Sequence, residues 1–189
     1  MATIFFTILI SFLPVRNSDV RFSSQSVTTI VKGTSTLHDW EMKSDKGKTE
    51  MMIKLGKNDI IIGISALTFT MEAQSLKSGK SGMDKDAYKA LKTRSSKNIG
   101  FVLSSAQVSS LTSNSYQVKA IGKLSIAGNT RETDIVASVK YNAADKSFIV
   151  TGSKKIKMTS FNVKPPSSMW GAVKSGDDIT ISFQTKVAR

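Results

Sequence analysis

The sequence predicts an all-β protein: a single antiparallel barrel of eight strands with one short helix at about residues 82–92. From residue 20 onward, apolar and polar side chains alternate with a period of two, which is typical of strands with one buried and one solvated face. Turn-forming residues interrupt this alternation at short intervals, as they do between consecutive antiparallel strands. The length of 189 residues fits one domain with a substantial core.

Residues 1–18 are expected to form a signal peptide, and residues 19–189 the barrel domain. The stretch Ala2–Leu13 is mostly apolar and uncharged, and it is shorter than a membrane-spanning helix requires. No Lys or Arg precedes it and no typical cleavage site follows it before Arg16, so a misassigned start codon or an uncleaved anchor is the alternative. We therefore expect a periplasmic or extracellular protein.

The first part of the domain predicts four strands, at about residues 19–33, 38–44, 48–56 and 60–73. The segments Ser44–Gly47 and Gly56–Asn58 contain turn-forming residues, and we expect them to join neighbouring strands. These strands should therefore form consecutive antiparallel pairs.

The segment Gly82–Lys92 departs from this pattern, because Met83, Ala87 and Leu91 follow one another at helical spacing. Ser81 is the expected N-cap residue. Charged side chains complement the helix dipole, with acidic residues early and basic residues late: Asp84, Asp86, Lys89 and Lys92. A single helix among strands is expected to cap one mouth of the barrel, between the fourth and fifth strands.

The second part of the domain predicts five more strands, at about residues 98–109, 116–126, 133–140, 148–152 and 179–183. The clearest alternation places the apolar residues of Tyr116–Ile126 on one face. Three turns are expected between or before these strands, at Gly128–Asn129, Asn142–Asp145 and Ser175–Asp178. Eight or nine strands is the number that closes a small barrel around packed side chains or one ligand.

The pair His38 and Asp39 is the one feature that invites a catalytic interpretation, because a carboxylate can orient an imidazole that acts as a base. Adjacent residues of a strand point to opposite faces, so Asp39 is poorly placed to serve its neighbour. We expect His38 to be structural. The sequence has no nucleophile elbow and no phosphate-binding glycine loop, which favours a protein that is not an enzyme.

Metal sites and cofactors are not expected. The chain has no cysteine and a single histidine, so the usual zinc ligands are missing. Carboxylates alone could bind magnesium or calcium at Asp84 and Asp86 or at Asp177 and Asp178. The ordinary roles of such pairs, at a helix start and in a turn, are the favoured interpretation.

The chain is strongly basic, with a formal net charge of +13, which favours acidic partners such as an anionic membrane surface or an anionic polymer. The lysines are scattered in twos and threes, as on an ordinary solvated surface. Aromatic residues make up only 7% of the chain and fall mostly at inward strand positions, so no specific nucleic-acid partner is expected.

Three separated blocks of the sequence together resemble the YceI-like family. They are Gly33–Trp40 (GTSTLHDW), Met83–Leu91 (MDKDAYKAL) and Lys157–Pro166 (KMTSFNVKPP). The resemblance extends from about Val27 to Val187, and it implies a lipocalin-like barrel that binds polyisoprenoids. By the same resemblance, Gly33–Trp40 forms a strand and a turn near the barrel opening.

The proline-stiffened stretch after Lys157 is expected to cross a barrel rim rather than extend a strand. Phe161, Met169 and Trp170 would then either line a mouth or simply pack against the rim.

The resemblance implies non-enzymatic storage or transport of an apolar lipid, an isoprenoid or a quinone, without a cofactor. The alternatives are electrostatic binding of an anionic polymer or of lipid headgroups, and a hydrolase or isomerase with an unrecognised site. The oligomeric state is left open, with a homodimer as one option. The inward apolar residues that would line the barrel, or fill it, are Phe69, Met71, Leu91, Phe101, Leu103, Tyr116, Val118, Leu124, Ile126, Ile135, Val139, Phe161 and Phe183.

Overall fold

The computed structural model describes residues 18–168 and 171–189, which form a closed antiparallel β-barrel of eight long strands. The long strands are β1 (Ser18–Ser35), β2 (Trp40–Leu55), β3 (Ile61–Glu72), β4 (Asn98–Thr112), β5 (Ser115–Ile126), β6 (Asn129–Asn142), β7 (Ser147–Lys157) and β9 (Val173–Val187). A two-residue strand, β8 (Ser167–Ser168), pairs with β9 alone. Each long strand pairs with the next, and β9 closes the barrel by pairing with both β7 and β1. The predicted fold class is confirmed.

The helix α1 spans Ser81–Ala90, and Leu91 is its C-cap. Three short 3₁₀ turns are present at Lys57–Asp59, Ala73–Ser75 and Met158–Phe161. Within the described residues, no helix has both the length and the apolar character that crossing a bilayer requires.

Strand parity follows the predicted alternation. On β5, Tyr116, Val118, Leu124 and Ile126 are buried, whereas Lys123 is exposed. The neighbouring strand β6 repeats the pattern, with its inward residues at positions 133, 135, 137 and 139. This alternation is what separates an apolar interior from a polar outer surface.

The prediction of a turn at Ser44–Gly47 is wrong, because β2 runs through this segment as one strand. Its pairing with β1 changes register on either side of the Val27–Gly47 pair, which marks a β-bulge. A Cβ atom on Gly47 would lie 2.8 Å from the ring of Phe69 and 2.9 Å from Cβ of Val27. The lack of a side chain at Gly47 therefore lets Phe69 and Val27 lie close to the backbone of β2. Because the segment is one strand and not two, α1 follows the third strand rather than the predicted fourth.

The prediction of a turn at Ser175–Asp178 is also wrong, because β9 already begins at Val173. The register between β1 and β9 shifts at this point, so the polar residues form an irregularity inside the strand. The side chain of Asp177 accepts hydrogen bonds from Thr159 on the neighbouring 3₁₀ turn. The polar residue Asp177 thus lies inside β9 because its carboxylate ties this strand to the 3₁₀ turn Met158–Phe161.

Two local details differ from the predictions by one residue. The β5–β6 hairpin turns at Ala127 and Gly128, both with positive φ, and Asn129 already belongs to β6.

The N-cap of α1 is Lys80, and it makes no side-chain capping bond. The hydroxyl of Ser78 and its backbone N–H instead both donate to Asp84, which satisfies the carboxylate of the first turn.

The interior divides into two apolar clusters. We call the barrel end that carries α1 the open end, and the opposite end the closed end. At the closed end the core is sealed by aromatic packing, with the rings of Phe22 and Phe148 5.1 Å apart in an edge-to-face arrangement. Outside this packing, Asp59 accepts hydrogen bonds from Tyr141 and Arg189. Any ligand space must therefore lie toward the open end.

Candidate functional site

A cavity of about 450 Å³ occupies the open end of the barrel. This volume lies within the range of about 300–1,000 Å³ that is usual for small-molecule sites. Its walls are inward side chains of the strands, with helix α1 and the segment after β7 as its cover. The apolar lining comprises Val31, Leu37, Trp40, Met42, Phe69, Met71, Leu76, Met83, Ala87, Ala90, Leu91, Ile99, Leu124, Ile126, Ile156, Met158, Phe161, Val163, Pro166, Val173, Ile179 and Ile181.

The block Gly33–Trp40 forms one side of the cavity mouth. The Trp40 ring lies directly against Gly33, where a Cβ atom would be 2.3 Å from Cζ2 of the ring. The indole N–H donates to the carbonyl of Thr34 at 2.9 Å and to the hydroxyl of Ser175 at 3.1 Å. The ring is therefore fixed across the β1–β9 seam with its apolar surface on the cavity.

His38 and Leu37 lie in the loop between β1 and β2 and line the mouth. Leu37 is 68% exposed, so its side chain adds apolar surface at the mouth. His38 is exposed, and its Nδ1 lies 2.7 Å from the backbone carbonyl oxygen of Asp39 rather than its carboxylate. The loop is held by the hydroxyl of Ser35, which bonds both the N–H and the carbonyl of His38.

Helix α1 covers the open end and is anchored by its polar residues. The hydroxyl of Tyr88 lies 2.9 Å from the carbonyls of both Gln74 and Leu76, which ties the helix to the 3₁₀ turn that follows β3. Burial raises the pKa of Asp84, but the two hydrogen bonds from Ser78 outweigh it and hold the pKa below its usual range. The apolar stripe predicted from the sequence thus faces the cavity through Met83, Ala87 and Leu91.

The segment after β7 forms the opposite side of the cover. Met158 and Phe161 are buried in the 3₁₀ turn and line the cavity. Of the two places considered for Phe161, lining a mouth or packing against the rim, the structure has it lining the cavity. The other two predicted rim residues, Met169 and Trp170, lie outside the described residues.

The thirteen predicted lining residues separate into three groups. Those that line the cavity are Phe69, Met71, Leu91, Leu124, Ile126 and Phe161. Those that pack in the open-end cluster behind the lining are Phe101, Leu103 and Ile135. Those that pack in or against the closed-end cluster are Tyr116, Val118, Val139 and Phe183. The structure thus brings about half of the set together at one cavity.

Several cavity residues were not among the predicted set. On β1, every residue from Val27 to Val31 is β-branched, so alternation could not separate Thr29 and Val31 from their outward neighbours. On β9, the alternation that marks Ile179 and Ile181 as inward is visible in the sequence, but it does not show which inward residues border empty space.

In the part of the chain that the structure describes, three ionisable side chains line the cavity, all at its mouth: His38, Lys80 and Asp86. Among residues 18–168 and 171–189, no group of three His, Cys, Asp or Glu residues is arranged to hold a metal ion. The carboxylates considered as cation ligands have other contacts, Asp84 with Ser78 and Asp177 with Thr159. What the cavity offers a ligand is therefore an apolar surface of defined shape.

Solved structures of low sequence identity share this fold. The crystal structure of Burkholderia cenocepacia BcnA matches with a TM-score of 0.66 at 20% identity, covering 86% of this chain and 96% of that one. A polyisoprenoid binding domain from Saccharophagus degradans matches with a TM-score of 0.64 at 10% identity, covering 88% and 97%. The YceI protein of Campylobacter jejuni matches with a TM-score of 0.54 at 16% identity, covering 76% and 85%.

The comparison with curated proteins found no match. The family model described as the YceI-like domain matches residues 13–187, which include every strand of the barrel and all three blocks of the predicted resemblance. The chain therefore belongs to the YceI-like domain family.

Proposed function

We propose that this protein binds a long apolar lipid of the isoprenoid type and stores or transports it without chemical turnover. The observation that carries this proposal is the apolar cavity of about 450 Å³ that opens at one end of the barrel. The Saccharophagus degradans structure, described as a polyisoprenoid binding domain, supports the same ligand class for this fold. A polyprenyl chain and the side chain of a quinone both belong to this class.

The physical gain from such binding comes from burial along the length of the ligand. Each methylene removed from water contributes about 0.8 kcal/mol. A chain that fills the cavity can continue through the mouth, where the exposed side chain of Leu37 offers further apolar contact. Recognition by shape and apolar area needs no reactive side chain, in keeping with a binding protein rather than an enzyme.

The direct test is organic extraction of the natively purified protein followed by mass spectrometry. We expect a bound isoprenoid at a molar ratio near that of the protein. The matched control is the Leu124→Arg variant purified in the same way, since Leu124 lines the cavity and a charge there should exclude the lipid. Recovery of only phospholipid, in equal amount from both proteins, would contradict the proposal.

We further propose that the protein acts after export, in the periplasm or outside the cell. The support is the uncharged apolar stretch Ala2–Leu13, which has the length of a signal-peptide core. N-terminal sequencing of protein from its native host should show that a segment ending between about residues 11 and 20 has been removed. Soluble cytoplasmic protein that retains Met1 would overturn this proposal.

A further inference from the structure

One polar side chain lies at the floor of the cavity. Thr29 belongs to β1, whose residues line the cavity from Ser35 at the mouth through Val31 to Thr29 at the deep end. The next inward residue, Val27, is buried beyond the lining. Thr29 is 4% exposed, and its Oγ1 has no hydrogen-bond partner among the residues that the structure describes.

The residues that pair with Thr29 on the two neighbouring strands form no hydrogen bond with its hydroxyl. Its cross-strand partner on β2 is Ser44, whose hydroxyl lies 2.7 Å from that of Ser75 and accepts from the N–H of Lys46. Its partner on β9 is Phe183, which has no polar side-chain atom. Other buried threonines are bonded: Thr49 donates to the carbonyl of Thr68, and Thr185 to that of Ser26.

The other polar groups that line the cavity are all at its mouth. Ser35 and Ser175 face each other across the end of the β1–β9 seam, Ser167 lies on the short strand β8, and the loop and helix supply His38, Lys80 and Asp86. Within residues 18–168 and 171–189, no cationic side chain lines the cavity near Thr29. A phosphate or carboxylate at the floor would therefore be desolvated without a counter-charge, whereas an uncharged oxygen needs only one hydrogen bond there.

We propose that Thr29 is a binding residue. Its hydroxyl is enclosed by its neighbours, and a rotation about χ1 turns it toward the cavity that the residue lines. There it donates a hydrogen bond to an uncharged oxygen of the lipid, a hydroxyl or a carbonyl, and this end of the lipid enters first. The inference rests on the proposed function and deepens it, because it specifies the ligand as an oxygen-bearing isoprenoid and gives its orientation. The hydrocarbon tail then runs along the apolar walls toward the mouth.

The test compares two probes, geranylgeraniol and its deoxygenated counterpart, on wild-type protein and on Thr29→Val. Valine keeps the shape of threonine and removes only the hydroxyl. We expect Thr29→Val to lose about tenfold in affinity for the alcohol, equivalent to about 1.4 kcal/mol, and to bind the hydrocarbon as the wild type does. The matched control is Thr49→Val, which removes a buried hydroxyl that does not line the cavity and should leave the preference for the alcohol unchanged.

The melting temperature of the ligand-free variants provides a second readout. Thr29→Val should melt at the wild-type temperature or above, because an unpaired buried hydroxyl is replaced by a methyl group. Thr49→Val should melt lower, because the carbonyl of Thr68 loses its donor. Two results would overturn the role of Thr29 and leave the proposed function standing. In the first, Thr29→Val is destabilised as much as Thr49→Val; in the second, it binds both probes as the wild type does. Failure of the wild type to bind either probe would instead overturn the proposed function.

Discussion

At the scale of single residues, the site depends on glycines that leave room for aromatic rings. Gly33 accommodates the ring of Trp40, and on β5 Gly122 accommodates that of Phe101, where a Cβ atom would lie 2.4 Å from the ring. Phe101 packs in the open-end cluster and does not line the cavity, whereas Trp40 does. The glycine at position 33 thus sets the geometry of the mouth.

Replacing Gly33 should displace the ring of Trp40. We expect Gly33→Ala to lower the free energy of unfolding by about 1–3 kcal/mol, the usual effect of forcing extra atoms into a packed site. Chemical denaturation measures this change. Gly63→Ala is the matched control on β3, because its nearest neighbour is Cδ of Lys54 at 3.6 Å, an ordinary contact. Equal stability of the two variants would show that Trp40 can move without cost.

Leu124 and Lys123 test the inward register of β5. Leu124 is buried in the cavity wall and pairs with Arg131 of β6, so Leu124→Arg places a cation in an apolar site beside another cation. The expected cost is on the order of several kcal/mol, with loss of binding of a fluorescent isoprenoid analogue. Lys123 is exposed, and Lys123→Glu should keep both fold and binding. The reverse result would contradict the register and favour electrostatic binding.

At the scale of elements, the cavity cover is assembled from short segments that are tied down by polar contacts. The 3₁₀ turn Met158–Phe161 is fixed to β9 through Asp177, which accepts from the N–H of Thr159 at 2.8 Å and from its hydroxyl at 2.6 Å. Arg131 of β6 donates to the carbonyl of Ser160 on the same turn. These contacts hold Met158 and Phe161 in the cavity wall.

The tether at Asp177 gives the cover a pH dependence. The hydrogen bond from the Thr159 hydroxyl, followed by that from its N–H, holds the pKa of Asp177 below its usual range. A carboxyl whose pKa is lowered by folding stabilises the fold above its unfolded value, about 3.9, and loses this contribution as the pH falls through its folded pKa. Asp177→Asn should therefore melt below the wild type at about pH 7, and the gap should narrow below about pH 3.9.

The control for this tether is Asp178→Asn. Asp178 is exposed and forms only longer surface ion pairs, 3.9 Å to Lys155 and 3.7 Å to Lys157. Pairs of this kind contribute little, so this variant should melt close to the wild type throughout the pH series. If Asp177→Asn behaves in the same way, the carboxylate does not hold the cover in place.

At the scale of the whole molecule, the apolar cavity and the basic surface favour different partners. The net charge is +13, and the lysines of β2, β5, β7 and β9 that alternate with buried residues lie on the outer face. We expect this charge to favour contact with an anionic membrane surface, where a protein with the proposed function would load or release its lipid. The cavity itself has little charge away from its mouth.

Salt concentration separates the two modes of binding. We expect the affinity for geranylgeraniol to change by no more than about twofold between about 50 and 200 mM salt, since burial of apolar area is not screened. Binding to a polyanion through about 6–10 contacts would fall by about 10³–10⁵ over the same range. Titrations with geranylgeraniol and with a nucleic-acid polyanion measure both. A steep salt dependence for geranylgeraniol would favour the electrostatic alternative.

The sequence by itself determined most of the strands and their parity, because alternation and turn chemistry are local properties, and the resemblance of its three motif blocks indicated the family. Inward residues such as Leu124 and Ile126 were predicted correctly as buried, and the stripe of α1 was visible at Met83 and Leu91. The two segments predicted as turns but found inside β2 and β9 show the limit of this reasoning. Polar residues and glycine in a strand can serve a bulge, a close approach or a tether, and only the neighbouring strand decides which.

The tertiary structure alone decided which part of the interior is open. Tyr116 and Leu124 lie on the same face of β5, yet the first packs in the sealed end and the second borders the cavity. Alternation assigns a side chain to the inside, but open space depends on how side chains from all eight strands and the helix fill the volume between them. For the same reason Thr29, one of several threonines on β1, became a candidate ligand contact only when the structure showed that this residue lines the cavity and that its hydroxyl has no partner among the described residues.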